Sequence, residues 1–175
     1  MKMKLAIDGD QGIVDTIHRL EFLKDNIIVG NYNVVRALVK KGEELANKYN
    51  ASAPQSTQSS EKQASVKGVV LDGGRKGYVA LIGDSAVYDE FGTGEEGAAN
   101  PHPLKGNYNL NPYNSGPVVS THINPETGRH FWYYNGDVTE GIPSGKQMYN
   151  TAKDLRAEKN TIIKTEMENA LKRFR

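Results

Sequence analysis

The sequence predicts an α+β domain: a small, mostly antiparallel β-sheet packed against an N-terminal helical region and a long C-terminal helix, with an inserted β-hairpin. Three observations carry this expectation. Apolar residues recur at helical spacing near both ends of the chain. Two β-rich runs, 65–71 and 76–82, flank Asp72-Gly73-Gly74, which is hairpin chemistry because primed turns need positive φ. A second pair of runs, 118–123 and 129–134, flanks the turn residues Asn124-Pro125-Glu126-Thr127-Gly128. At 175 residues the chain is expected to be a single domain, 1–175, with 96–141 as a loop and hairpin inserted within it.

Taken in order, Met1 to Asp8 alternates loosely and reads as a short strand. Ile13, Ile17, Leu20 and Leu23 mark a helix over 13–24 with Asp10 as its cap. Gly30-Asn31 breaks the pattern, and Asn31 caps a second helix over 32–49. Its stripe is Val34, Leu38, Leu45 and Tyr49, with Val35, Val39 and Ala46 beside it. The Ser- and Gln-rich stretch 55–63 reads as a loop that orders on assembly. The first hairpin follows, then a Gly- and Pro-rich loop over 92–117 and the second hairpin, closed by Asn135-Gly136. Pro143-Ser144 opens the last helix, where Met148, Ala152, Leu155, Ile162, Met167, Leu171 and Phe174 fall near helical spacing. A polar stretch, 156–160, interrupts that stripe, and Lys172, Arg173 and Arg175 complement the dipole at its end.

Composition excludes several classes. No run approaches the eighteen apolar residues of a membrane span, and the opening residues lack the apolar stretch of a secretory signal. The absence of Cys removes disulfides, thiolate metal sites and thiol nucleophiles. A net charge of +1 gives no global argument for nucleic acid or anionic lipid. Charge is uneven locally: 84–96 holds five acidic and no basic residues, whereas 144–175 holds eight basic and four acidic ones. Opposite poles suit head-to-tail self-association.

Motifs for chemistry mostly fail on spacing. Asp8-Gly9-Asp10 opens like a calcium loop, but Ile13 and Arg19 stand where Gly and Glu are required. Gly83-Asp84-Ser85 resembles a nucleophile turn, but Val87 replaces the needed Gly and no His is placed by sequence beside Ser85. Gly92-Thr93-Gly94 lacks the Lys of a phosphate loop and precedes two carboxylates that would repel phosphate. The acidic group 84–96, and His122 with His130 across the second hairpin, are thin grounds for a metal. The expectation is therefore no catalytic, cofactor or metal residues, and not an enzyme. Six of the 14 aromatics lie in 97–142, and Phe131, Trp132, Tyr133 and Tyr134 are the candidate partner contacts.

A strand running into Tyr88-Asp89-Glu90-Phe91-Gly92-Thr93-Gly94 resembles a signature of the tailed-bacteriophage head–tail joining and tail-completion family, which includes minor capsid and tail-component proteins. The order of elements is similar to that family's: helices, Ala53-Pro54 before a polar loop, a hairpin, the motif and a long last helix. Where the family carries Asp-Thr-Gly after the Ala-Pro, this chain has Gln55-Ser56-Thr57. The resemblance covers about 1–95 and 142–175. It implies a structural protein of the virion neck, made in the host bacterial cytoplasm. It would form a ring, expected to be a hexamer, that joins head to tail or completes the head-proximal tail end. The implied partners are an adjacent neck or connector protein, the tail-tube protein and, non-specifically, DNA in the lumen; no membrane is implied. From the residues themselves, Gly92 and Gly94 let the chain leave the sheet, Tyr88 and Phe91 anchor that exit, Thr93 lies between the glycines, and Glu90 accepts N–H bonds from the turn. The alternatives are a small serine hydrolase using Ser85 and a ligand-binding adaptor using the aromatic insertion.

Overall fold

The computed structural model describes residues 9–53, 64–83, 85–104, 122–134 and 137–172. The chain is α+β, with long helices at both ends and small antiparallel sheets between them. In order come α1 (Gly9–Ser52), β1 (Ser65–Leu71), β2 (Lys76–Ile82), α2 (Ala86–Phe91), α3 (Gly94–Ala99), β3 (His122–Ile123), β4 (His130–Tyr134), β5 (Asp137–Thr139) and α4 (Gln147–Lys172). β1 and β2 form one two-stranded sheet, and β3, β4 and β5 form a three-stranded sheet in that order. The strand expected over 1–8, the loop 55–63 and the start of the second hairpin lie outside the described residues.

Backbone contacts divide the chain into two compact units. One comprises 1–40, 69–78 and 156–175; the other comprises 41–68 and 79–155. In the first unit Gly30 does not end a helix. It lies inside α1 with Met167 Sδ 2.8 Å and Ala170 Cβ 3.1 Å from where a side chain would begin. A mid-helix glycine costs about 1 kcal/mol relative to Ala, and here the missing side chain admits α4. Asn31 is accordingly helical and exposed instead of capping, and Asp10 lies within the first turn of α1. Val35 and Val39 close on the backbone of Gly77 in the hairpin, and Tyr32 on Gly74.

In the second unit Gly42 brings α1 against Val79 of β2 and Leu155 of α4. Asn50 donates its side-chain N–H to Ala64 O at 2.8 Å, and the Tyr49 hydroxyl donates to Asp154. In this unit α1 buries Gly42, Leu45 and Ala46. The expected central residues Val34, Leu38 and Tyr49 are only half-buried, because the small residues beside them permit the closer approach.

The first hairpin has the expected strands, and Asp72, Gly73 and Gly74 all adopt positive φ. The second differs. A third strand, β5, follows Asn135-Gly136, with Trp132 paired to Thr139 and Tyr134 to Asp137. In the other register His122 faces Phe131 and Ile123 faces His130. The two histidines therefore project to opposite faces and do not meet. The expected loop after Gly92 also begins with a helix, α3.

Candidate functional site

The strand expected before the resemblance motif is present, and the motif itself begins in a helix. β2 ends at Ile82, and the chain turns through Gly83 into α2, which carries Tyr88, Asp89, Glu90 and Phe91. A six-residue helix places successive residues about 100° apart. Glu90 is turned inward, 7 % exposed, while Tyr88 is 38 % exposed. Phe91 is half-buried and packs on the His102 ring, centroids 4.4 Å apart.

Gly92 ends α2 at φ 73°, ψ 168°. A side chain there would begin 2.6 Å from Ser144 N and 2.8 Å from Ile142 O. This close approach lets Thr93 pair with Ile142: its N–H donates to Ile142 O at 2.9 Å, and its hydroxyl accepts the Ile142 N–H at 3.2 Å. Gly94 then opens α3.

The Glu90 carboxylate lies at the N-terminus of α4. Oε2 accepts the Met148 N–H at 2.8 Å, and Oε1 accepts the Tyr149 N–H at 2.9 Å. The residue before α4 is Lys146, at φ 55°, whose side chain has no acceptor to offer a helix start. A carboxylate from a distant segment fills that role and meets the positive end of the helix dipole. The expectation of a capping carboxylate is thus met with different donors: they belong to α4, not to the motif's own turn. Ser144 is not the cap. Its hydroxyl donates to Glu90 O at 2.8 Å, while the N–H groups of Gly145 and Lys146 donate to Asp89 O and Glu90 O at 2.8 and 3.2 Å.

His102 completes the cluster. Its Nδ1 accepts the Leu104 N–H at 3.0 Å, so Nε2 carries the ring proton and donates to Glu90 Oε1 at 2.9 Å. With its amide oriented by its acceptors, Gln147 donates to Asp89 O and Glu90 Oε2, both at 3.1 Å. The Thr151 hydroxyl donates to Gln147 O at 2.7 Å. Each Glu90 oxygen therefore accepts two hydrogen bonds, and both His102 nitrogens are engaged. Sequence spacing brings none of His102, Ser144, Gln147 and Thr151 to Glu90; the only legible signal was an acidic residue beside paired glycines.

Two further contacts bear on the expected sites. The Ser85 hydroxyl donates to Asp89 Oδ2 at 2.8 Å, so its partner here is a carboxylate. Burial pushes the Asp89 carboxyl up from its ordinary range, and the Ser85 bond offsets part of that. The turn of the second hairpin is tied to α3 and to the end of β5. Arg129 bonds Glu96 and, at 3.4 Å, Glu140, whose Oε1 also accepts from Asn124 and Thr127 at 3.1 Å each. Burial opposes the charge on Glu140, but these hydrogen bonds and Arg129 hold its carboxyl below the usual range. The acidic stretch 84–96 is therefore no uniform pole: Glu90 is buried in the cap, and Glu96 is paired with Arg129. Of the four aromatic candidates, Phe131 stacks on His122 at 5.5 Å, and the side chains of Trp132, Tyr133 and Tyr134 lie outside the description.

Among the described residues no group of three His, Asp or Glu is placed to hold a metal ion, and no helix is long and apolar enough to cross a membrane. No family model, curated protein or solved structure gives a significant match to this chain.

Proposed function

We propose that this chain is a structural protein of the neck of a tailed bacteriophage, forming a ring that joins head to tail or completes the head-proximal end of the tail. The observation that carries the reading is the position of Glu90. The residues of the resemblance motif form the corner that starts the last helix, and the motif's carboxylate is wholly engaged in that cap. An acid engaged in a helix start favours a scaffold over a reacting site. The order of helix, hairpin, motif and long last helix supports the same reading.

The ring, a hexamer by the resemblance, uses head-to-tail contacts that close by rotation. Its neighbours are another neck or connector ring and the tail-tube protein, with Phe131, Trp132, Tyr133 and Tyr134 as contacts. DNA in the lumen is met by charge alone. The protein is made in the bacterial cytoplasm and ends in the virion.

The test is electron microscopy of a lysate from a phage with a nonsense mutation in this gene. Filled heads separated from tails support the neck reading. Intact, infectious particles overturn it and return attention to Ser85 and to the aromatic insertion.

A further inference from the structure

After α3 the chain reads Pro101-His102-Pro103-Leu104. A proline biases the residue before it to extended backbone, and Pro103 has no N–H to give. The first backbone donor past the ring is therefore that of Leu104, and it reaches His102 Nδ1 at 3.0 Å. On its other side the ring donates from Nε2 to Glu90 Oε1 at 2.9 Å, the oxygen that also accepts the Tyr149 N–H. The His102 side chain is only 2 % exposed. Phe91 packs on it, and Tyr149 meets it edge-on with centroids 5.4 Å apart. One buried imidazole thus joins the cap of α4 to the chain that leaves it. It can do so in a single protonation state, because Nδ1 must accept while Nε2 donates.

We propose that His102 is a pH-operated latch: neutral, it holds the Leu104 backbone on the cap of α4, and protonated at Nδ1 it releases Leu104 while keeping Glu90. An imidazolium carries a donor on both nitrogens. The new Nδ1–H would face the Leu104 N–H, donor against donor, in a part-buried place. The bond from Nε2–H to Glu90 changes in the opposite sense, since a charged donor on a carboxylate makes a shorter and stronger bond. The Met148 and Tyr149 N–H groups keep their acceptor throughout. Opposite responses on the two sides of one ring separate a latch from general acid unfolding of the corner. Among the described residues, Glu90 is the charged group that bonds the ring. The charges of the surrounding elements are engaged elsewhere: Asp89 of α2 with the Ser85 hydroxyl, Glu96 of α3 with Arg129, and the Lys146 ammonium, before α4, with Asn100 Oδ1 at 2.6 Å. Imidazole is the side chain whose ordinary charge change falls between about pH 5 and about pH 8, and phenols such as that of Tyr149 ordinarily titrate well above that range. The latch is a property of this corner of the fold and does not rest on the neck reading.

Ring-nitrogen NMR and amide exchange on the full-length protein test it between about pH 8 and about pH 5. At the upper end the single ring proton of His102 is expected on Nε2. As the ring takes its second proton, the protection factor of the Leu104 amide, relative to the intrinsic exchange rate at each pH, is expected to fall about tenfold, the equilibrium worth of one hydrogen bond. Those of Met148 and Tyr149 are expected to hold or rise. His102→Gln, whose amide can donate to Glu90 and offer an oxygen to Leu104 without titrating, is expected to abolish the pH response. A ring that stays neutral throughout, a Leu104 amide indifferent to the ring's charge, or three amides that lose protection together overturns the latch. So does a folded His102→Gln protein in which Leu104 keeps its pH response. The titration and the exchange are both read in the parent, so the test stands where the Gln variant fails to fold.

Discussion

Glu90 Oε2 accepts the Met148 backbone N–H at 2.8 Å although 58 residues separate the two. The start of the last helix is therefore capped by a residue of α2, and the same buried carboxylate also holds His102, from within the 96–141 segment.

Replacing Glu90 by Ala leaves the Met148 and Tyr149 amides and the His102 Nε2–H without their acceptor in a buried site. The expected loss is about 1–3 kcal/mol, the cost of unsatisfied buried donors. Glu90→Gln keeps one acceptor oxygen and is expected to lose less. Urea unfolding measures both, and an unchanged midpoint for the Ala variant would refute the capping role.

Gly92→Ala adds a side chain against backbone atoms that have no room to retreat, at a positive φ that L-residues rarely adopt. The expected loss exceeds about 2 kcal/mol, with reduced soluble yield. A melting temperature within error of the parent would mean that the corner relaxes around Gly92.

Asp89 gives a pH dependence. Burial holds its carboxyl above the ordinary 3.8, the Ser85 hydroxyl offsetting part of the effect. A carboxyl raised in the fold contributes stability that is complete below its unfolded value and is lost as pH rises through the folded one. Ionised Asp89 thus lowers stability at neutral pH. Asp89→Asn, which still accepts the Ser85 bond, is expected to raise the urea midpoint at pH 7, with the gain vanishing near pH 3.8. A midpoint that is lowered at pH 7 would show that the charge is stabilising.

Arg129→Ala removes the bridge from the hairpin turn to Glu96 and Glu140. Amide exchange over 122–129 is expected to quicken at pH 7, with little change in the global midpoint, because all three side chains are partly exposed. The lowered Glu140 carboxyl contributes stability above its ordinary 4.5 that is lost as pH falls through its folded value. In the parent, protection factors over 122–129, taken relative to the intrinsic exchange rate at each pH, should therefore fall on acidification. Exchange that is indifferent to both changes would reduce the cluster to surface decoration.

The parts that sequence made legible are those set by local chemistry. Asp72-Gly73-Gly74 could only be a turn, and the two strands beside it followed. The last helix was visible because no Gly or Pro follows Gly145. The break at Gly30 was misread for a physical reason: a glycine that ends a helix and one that admits a neighbouring helix look alike until Met167 and Ala170 are in view. α2 was misread because Tyr88, Glu90 and Phe91 suit a strand exit as well as a single helical turn. Glu90 was recognised as a hydrogen-bond acceptor, but its donors lie in α4, and no local pattern encodes a cap delivered from 58 residues away.

The two hydrogen bonds between Thr93 and Ile142 also have an evolutionary consequence. They staple the two ends of the inserted segment to each other, so that its length is closed at a fixed base. Lengthening a closed loop is cheap, since doubling its length adds only about 0.6 kcal/mol of closure entropy. The part of the segment beyond His102 and Leu104 is then free to be exchanged for longer, shorter or unrelated sequence without disturbing the cap of the last helix, and a foreign sequence grafted between Leu104 and His122 should be carried on the same base.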